Sequence, residues 1–130
     1  MPYRVYIVED HPTMRETYRM FIDLQPDLEV CGMADTGKAA LEEVPRAAPD
    51  VILVDLALPD MNGMDVVRGL RAQYADLIIL VVSGNKAKAF EDLVVRGGAT
   101  AYIDKQDAPA TLVPTILKTI ASAKASGKVR

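Results

Sequence analysis

Five short apolar runs alternate with segments of helical spacing along the chain. The runs occupy residues 5–8, 28–33, 51–54, 77–82 and 101–103. Strand–helix alternation repeated five times is typical of a parallel sheet covered by helices on both faces. Runs 51–54 and 77–82 are apolar without alternation, as in central strands buried on both sides. The chain is therefore predicted to form a doubly wound α/β domain, with the more mixed runs 28–33 and 101–103 at the sheet edges.

Local signals mark where the helices begin and end. Pro12 suits the first turn of the first helix, and Thr36 is a good N-cap for the second. Asn62-Gly63 leads into the third helix, and Gly97-Gly98 closes the fourth. These helix signals lie between the apolar runs that predict the strands. Two different kinds of sequence signal therefore predict the same order of strands and helices.

Two prolines and a polar tail disturb the pattern. Pro45 predicts an early end to the second helix, and Pro114 either a late start or a kink in the fifth. Apolar periodicity stops at Ser122, after which Ser, Gly, Lys and Arg predominate. We expect one domain over residues 1–122, followed by a tail or linker over residues 123–130.

Composition narrows the setting of this domain. A net charge of −3 gives no electrostatic reason to expect nucleic-acid binding by this segment. A single cysteine excludes an internal disulfide framework and fits a reducing compartment, and Cys31 is expected to be a buried structural thiol. No apolar run approaches the roughly 20 residues that span a bilayer, and no signal peptide precedes the first strand. A cytoplasmic protein without membrane contact is predicted.

Charged and polar residues stand at the carboxyl ends of four predicted strands. Glu9 and Asp10 close the first strand, Asp55 closes the third, Ser83 closes the fourth, and Lys105 follows the fifth. In an open parallel sheet these ends lie along one edge, where ligands bind. Three carboxylates, one hydroxyl and one ammonium are therefore expected to converge.

This set of groups suits phosphoryl chemistry. Clustered carboxylates without a cysteine favour Mg²⁺ over zinc. Lys105 fits better as a point charge for a phosphoryl oxygen, and Ser83 can donate a hydrogen bond to another. A carboxylate can accept a phosphoryl group covalently, and Asp55, alone at the end of a central strand, is the best candidate.

The same residues resemble a known family. Glu9-Asp10, the stretch DLALPDMNG from Asp55 to Gly63, Ser83 and Lys105 resemble the receiver domain of bacterial two-component response regulators. The resemblance extends from Tyr3 to about Ser122, and it implies a flavodoxin-like strand order of 2-1-3-4-5. The opening VEDHP is similar to the subgroup whose receivers precede a helix-turn-helix DNA-binding domain.

The resemblance implies a role for each acidic residue of the site. Asp55 would take a phosphoryl group from the phosphohistidine of a sensor histidine kinase. Glu9, Asp10 and Asp55 would bind Mg²⁺, with the main-chain carbonyl of Ala57 completing the protein ligands. The receiver would catalyse its own phosphorylation and, slowly, its hydrolysis, without being a metabolic enzyme.

The resemblance also implies how the signal leaves the site. Ser83 and Lys105 would hold the phosphate, and Tyr102 would be the switch aromatic. The face formed by the fourth helix, fifth strand and fifth helix would then bind a partner, most simply another phosphorylated copy. Output would be control of transcription through a domain that this chain does not include.

Two positions depart from the family pattern. Gly84 stands where the family usually has alanine, which predicts a looser loop after the fourth strand. Gln106 stands where many members have proline, which leaves open whether the bond after Lys105 is cis, since a non-proline cis bond costs roughly 3–4 kcal/mol.

Other readings stay open at this point. A stand-alone receiver that controls a protein partner would have the same residues. An aspartate-nucleophile phosphatase needs a general acid two residues after the nucleophile, where Ala57 stands. An unphosphorylated pseudo-receiver would usually lose acids or the lysine, and all are present. His11 is expected to start a helix beside the site, and we assign it no role.

Overall fold

The computed structural model describes residues 2–129, in which five strands alternate with five helices. The strands are β1 Tyr3–Val8, β2 Leu28–Ala34, β3 Val51–Asp55, β4 Ile78–Ser83 and β5 Ala101–Asp104. The helices are α1 Pro12–Asp23, α2 Gly37–Ala47, α3 Gly63–Gln73, α4 Lys88–Arg96 and α5 Ala108–Ala125. Over the same residues, no helix has both the length and the apolar character needed to cross a membrane.

All strand pairs are parallel, in the order β2-β1-β3-β4-β5. This confirms the predicted doubly wound fold with flavodoxin-like order, and β2 and β5 are the edges as expected. The register pairs Val8 with Val54, Asp55 with Val82, and Ser83 with Asp104. The carboxyl ends of β1, β3, β4 and β5 therefore stand at one edge of the sheet.

Each face of the sheet carries its own apolar core. One core combines alternate strand residues such as Ile7 and Leu53 with Leu112 and Ile116 of α5. The other core combines the intervening strand residues, Ile52 among them, with α2, α3 and α4. Because β3 is buried on both faces, its side chains are apolar throughout until Asp55 ends the strand.

The predicted helix signals are confirmed. The Thr36 hydroxyl accepts a hydrogen bond from the Ala39 N–H at 3.1 Å. The Asn62 side chain accepts one from the Met64 N–H at 2.9 Å. Gly98, just beyond the end of α4, has a φ of 121°, a conformation that favours glycine.

The early end expected at Pro45 and the late start expected at Pro114 both need correction, while a kink at Pro114 stays a prediction. Helix α2 continues past Pro45 to Ala47, because the missing N–H falls in its last turn and removes a single hydrogen bond. Helix α5 begins at Ala108, well before Pro114, so the proline does not delay it. Pro114 is exposed, and the burial of Leu112 and Ile116 on the opposite side stabilises the helix around it.

The start of the predicted tail continues helix α5. Residues 123–125 are helical, and Ala123 is buried in the core. After the helix, Gly127 has a φ of 76° and the Lys128 N–H donates to the Ala123 carbonyl at 2.8 Å. Arg130 lies outside the described residues, and the division of the chain after residue 122 stays a prediction.

Cys31 is half-buried rather than buried, because it lies on the edge strand β2. Burial raises the pKa of its thiol, which disfavours the reactive thiolate. The structure therefore agrees with a structural thiol and corrects its degree of burial.

Candidate functional site

The carboxyl edge of the sheet brings together charged groups from three strands. Glu9 follows β1, Asp55 ends β3, and Lys105 follows β5. The Lys105 ammonium lies 3.0 Å from Asp55 Oδ2 and 3.3 Å from Glu9 Oε1. Residues separated by up to 96 positions in the chain thus converge because their strands are parallel and adjacent.

Three carboxylates form an acidic group at this edge. One side-chain oxygen from each of Glu9, Asp10 and Asp55 lies within 4.8 Å of the others. Glu9 and Asp55 are 1% and 3% exposed, whereas Asp10 is open to solvent. An oxygen-only set with one solvent-facing member matches the ligands of a hard divalent cation that retains water.

The ionised form of the Glu9 carboxyl is disfavoured in this arrangement. Burial, followed by the neighbouring Asp55 carboxyl, raises the pKa of Glu9 to about 7, although the His11 N–H and Lys105 act in the opposite direction. The His11 N–H donates to Glu9 Oε2 at 3.1 Å. Glu9 Oε1 has no hydrogen-bond partner within residues 2–129, because the Lys105 approach is an ion contact without hydrogen-bond alignment. A buried acceptor without a donor is what a cation-binding site would leave.

Each oxygen of the Asp55 carboxylate has one donor. The Ala57 N–H donates to Oδ1 at 3.0 Å, and the Lys105 ammonium donates to Oδ2. Burial alone would lower the pKa of Lys105, but its hydrogen bond with Asp55 and the charges of Asp55 and Glu9 outweigh that effect and raise it. Lys105 therefore stays charged next to Asp55 over the physiological pH range.

An open cleft of about 360 Å³ lies beside this pair. Asp55, Ala57, Ser83 and Lys105 all line it, so four of the predicted residues meet there. The Ser83 hydroxyl accepts a hydrogen bond from the Asn85 N–H at 3.3 Å. In this long, exposed hydrogen bond the Ser83 oxygen is the acceptor. The hydroxyl hydrogen of Ser83 can therefore be donated to another acceptor.

Tyr102 does not line the cleft, but it contacts two residues that do. Its hydroxyl donates to the main-chain carbonyl of Asn85, and its ring meets the ring of Phe90 edge-on, with centroids 6.1 Å apart and an interplanar angle of 82°. Tyr102 is half-buried on the edge strand β5. Its connection to the site therefore passes through the loop between β4 and α4.

Three residues in or next to α1 lie near Glu9. His11 is exposed at the N-cap of α1 and so starts a helix beside the site, as predicted. Arg15 donates to the Glu9 main-chain carbonyl at 2.9 Å, a contact the sequence did not signal. The buried Tyr18 hydroxyl has no hydrogen-bond partner among the described residues. Burial, together with the nearby charges of Glu9 and Asp55, raises the pKa of Tyr18, so its hydroxyl keeps its proton.

The two departures from the family pattern have different outcomes. No peptide bond in residues 2–129 is cis, so the bond after Lys105 is trans. Gly84 is exposed, and a Cβ added there would meet no atom within 4 Å. The expected looseness of the loop at Gly84 stays a prediction.

The chain is similar to a protein-family model and to curated proteins. Residues 5–117 match the family model of the response regulator receiver domain. The transcriptional regulatory protein DegU of Brevibacillus brevis is 32% identical over 103 residues, covering 79% of this chain and 44% of DegU. The protein-glutamate methylesterase/protein-glutamine glutaminase of Pyrococcus abyssi is 33% identical over 129 residues, covering 97% of this chain and 35% of that protein.

A solved structure shows the same likeness in three dimensions. A two-component response regulator of the LuxR family from Aurantimonas sp. SI85-9A1 superposes with a TM-score of 0.87 at 30% identity, covering 94% of this chain and 87% of that one. The chain spans about half the length of the first curated relatives that it matches. Since the family match runs from β1 into α5, the chain belongs to the family of response regulator receiver domains of two-component systems.

Proposed function

We propose that this receiver accepts a phosphoryl group on the Asp55 carboxylate from the phosphohistidine of a sensor histidine kinase. The observation that carries the proposal is the buried Asp55 carboxylate, which lies 3.0 Å from the Lys105 ammonium beside two further acids. Receiver domains interact with histidine kinases, which supports the proposed donor. In the transfer, an Asp55 oxygen forms a bond to phosphorus as the histidine nitrogen–phosphorus bond breaks.

The residues around Asp55 have distinct parts in this proposal. The Ala57 N–H holds Oδ1 and thereby fixes the rotation of the Asp55 carboxylate. Lys105 neutralises charge on the phosphoryl oxygens, since it already lies on the other carboxylate oxygen. Ser83 donates its hydroxyl hydrogen to another phosphoryl oxygen from the wall of the same cleft. The receiver also hydrolyses the phosphoryl group slowly by itself.

Receiver domains use Mg²⁺ at an acidic site, and the acids of this chain fit that ion. Glu9, Asp10 and Asp55 are the proposed side-chain ligands, together with the main-chain carbonyl of Ala57. When bound, Mg²⁺ supplies positive charge that neutralises the transferring phosphoryl group. Glu9 supports this assignment because its buried Oε1 has no hydrogen-bond partner in residues 2–129.

Ser83 and Tyr102 are the proposed switch. When Ser83 turns to the phosphoryl group, its contact with the Asn85 N–H is lost, and Asn85 is the residue whose carbonyl holds Tyr102. The face formed by α4, β5 and α5 would then bind a second phosphorylated copy. Leu93 on α4 and Leu117 on α5 are 63% and 38% exposed, and such apolar side chains suit an interface.

The proposed output is control of transcription through a domain outside this chain. DegU, a similar protein of about twice the matched length, is a transcriptional regulatory protein. The P. abyssi protein carries a different activity in its name, so a receiver of this kind is compatible with more than one output. A stand-alone receiver acting on a protein partner is the alternative, in either case in the cytoplasm and without nucleic-acid contact by this domain.

The phosphatase alternative is disfavoured by position 57. Such an enzyme needs a general acid two residues after its nucleophile, and Ala57 offers only main-chain groups there. The pseudo-receiver alternative is disfavoured because Glu9, Asp55 and Lys105 are all present and in contact.

The test is incubation with acetyl phosphate and Mg²⁺, followed by intact-mass measurement. We expect one added phosphoryl group, lost in Asp55→Asn and kept in the matched control Asp107→Asn, since Asp107 is an exposed aspartate at the start of α5. Phosphorylation of the Asp55→Asn protein would identify another acceptor. Donor turnover without an adduct would indicate a phosphatase, and neither turnover nor adduct would indicate a pseudo-receiver.

A further inference from the structure

The loop between β3 and α3, residues 56–62, is bound to the start of α2 by a single carboxylate. Asp60 Oδ1 accepts from the Gly37 N–H and Oδ2 from the Lys38 N–H, both at 2.9 Å. The next N–H of the helix, that of Ala39, is satisfied by Thr36. Helix α2 therefore receives two of its first hydrogen bonds from a residue that follows β3 rather than from its own cap.

Close packing reinforces this contact. Gly37 is buried, and a Cβ added there would lie 2.5 Å from Met61 Cγ and Sδ and 2.9 Å from Val66 Cγ2. Two successive loop residues, Asp60 and Met61, thus lie against the first residue of α2. The glycine at this position lets the helix approach the loop so closely.

The loop is also closed on itself and tied to the acceptor. Ala57 pairs with Asn62 in an isolated antiparallel bridge, and the Gly63 N–H donates to the Leu56 carbonyl at 3.0 Å. At its beginning, the Ala57 N–H donates to Asp55 Oδ1 at 3.0 Å. Because Ala57 is bonded across the loop to the segment that contains Asp60, a restraint on Asp60 also restrains Ala57.

We propose that Asp60 is a positioning residue that holds the loop on α2 and thereby places the main-chain carbonyl and N–H of Ala57. The carbonyl is the proposed metal ligand, and the N–H orients Asp55, so the inference rests on the proposed function. Asp60 acts through the backbone and does not touch the phosphoryl group or the ion. The N–H groups of Lys38 and Gly37 lower the pKa of Asp60, which keeps its carboxylate charged for this contact.

A residue that only caps α2 would change stability and nothing at the site. A positioning residue must also change the affinity for Mg²⁺ and the protection of the Ala57 amide. These two readouts separate the roles, and neither requires the phosphorylated protein.

The experiment compares Asp60→Ala and Asp60→Asn with the matched control Asp65→Ala. Asp65 is also exposed, lies in the first turn of α3 and pairs with Arg68 at 2.8 Å, so its removal makes the same charge change nearby. The Mg²⁺ dissociation constant is measured by amide chemical-shift titration, and hydrogen exchange is followed at Ala57. In Asp60→Ala we expect Mg²⁺ affinity up to about tenfold weaker and faster exchange at Ala57, with little change in the control.

Asp60→Asn keeps one acceptor oxygen, so both effects should be intermediate, and it serves as the test if the alanine variant does not fold. If the Asp60 variants lose stability while Mg²⁺ affinity and Ala57 exchange match those of Asp65→Ala, Asp60 is a helix cap and the inference is wrong. If the unchanged protein does not bind Mg²⁺ at all, the proposed metal site fails instead.

Discussion

Two loops flank Asp55, and they are held in opposite ways. The β3–α3 loop, residues 56–62, is attached to α2 by Asp60 and to Asp55 by Ala57. The β4–α4 loop, residues 84–87, is exposed at every position, and its hydrogen bonds run to Ser83, within the loop, to the first turn of α4 and to Tyr102. Lys86 also forms an ion pair of 3.7 Å with Asp104 of the neighbouring strand β5. Long-range contacts fix groups that must stay in place, whereas a loop with mainly local contacts opens at low cost. The first loop is suited to positioning and the second to switching.

One glycine in or beside each loop allows the same substitution to test both. Gly63 follows the β3–α3 loop and is buried, and Gly84 begins the β4–α4 loop and is exposed. A methyl group added at each position measures how much free space its surroundings leave.

The largest effect is expected from Gly63→Ala. The new Cβ would lie 2.5 Å from Leu56 Cα and 2.6 Å from the Asp55 carbonyl oxygen, and backbone atoms cannot yield as a side chain can. We expect a loss of about 3 kcal/mol in the free energy of unfolding, measured by urea denaturation. Gly69→Ala in the same helix is the control, because its Cβ would lie 3.5 Å from the nearest atom and alanine favours the helix. Equal effects in the two variants would show that the β3–α3 loop can yield.

The second effect concerns Glu9, the buried acid beside the fixed loop. Its pKa is raised to about 7 in the folded, metal-free protein, above its value of 4.5 when unfolded. The stability that Glu9 contributes is therefore complete below about pH 4.5 and is lost as the pH rises through 7. Glu9→Gln should remove this loss and stabilise the metal-free protein at pH 8 by about 2 kcal/mol, allowing for the lost contact with Lys105.

Thermal unfolding in chelator at pH 5 and pH 8 checks the prediction for Glu9. The stability gained by Glu9→Gln over the unchanged protein should be present at pH 8 and small at pH 5. In saturating Mg²⁺ the unchanged protein should be the more stable of the two. If Glu9→Gln gained the same stability at pH 5 and at pH 8, ionisation of the Glu9 carboxyl would not be the cause of the lost stability.

The sequence predicts the sheet and the charged edge well because both depend on local patterns. Each strand is an apolar run of its own, and each of Glu9, Asp55 and Lys105 stands at the end of one. The parallel sheet then brings these ends together without further information. The resemblance to receivers adds the order of the strands, which the apolar runs alone do not contain.

The errors arise where a tertiary contact outweighs a local preference. Pro45 and Pro114 are helix breakers in isolation, but burial of the opposite face of each helix offsets one missing hydrogen bond. Asp60 joins residues 22 and 23 positions away, and nothing in its neighbourhood signals that pairing. The degree of burial of Cys31 depends on β2 being an edge, which the mixed composition of that run only suggested.

The third effect is expected at the switching loop. Tyr102→Phe removes the hydroxyl that donates to the Asn85 carbonyl and keeps the edge-on contact with Phe90. Because this hydrogen bond is exposed to water, its loss should cost about 1 kcal/mol or less. Hydrogen exchange at residues 84–87 should become faster, while exchange in residues 56–62 stays unchanged. Faster exchange in both loops would mean that they are coupled and that the distinction between them is wrong.

The smallest effect, and one of opposite sign, is expected from Gly84→Ala. The added methyl meets no atom within 4 Å, and the φ of Gly84 lies outside the left-handed range, so alanine fits without strain. Replacing glycine reduces the freedom of the unfolded chain and should stabilise the protein by about 0.5 kcal/mol, where Gly63→Ala destabilises it. The same stiffening should slow exchange at Asn85 and reduce the change in the Tyr102 amide chemical shift on addition of a phosphoryl mimic, with Gly69→Ala in α3 as a control that also lacks a positive φ. If Gly84→Ala is destabilising, the β4–α4 loop is as closely packed as its neighbour, and its capacity to move must come from another segment.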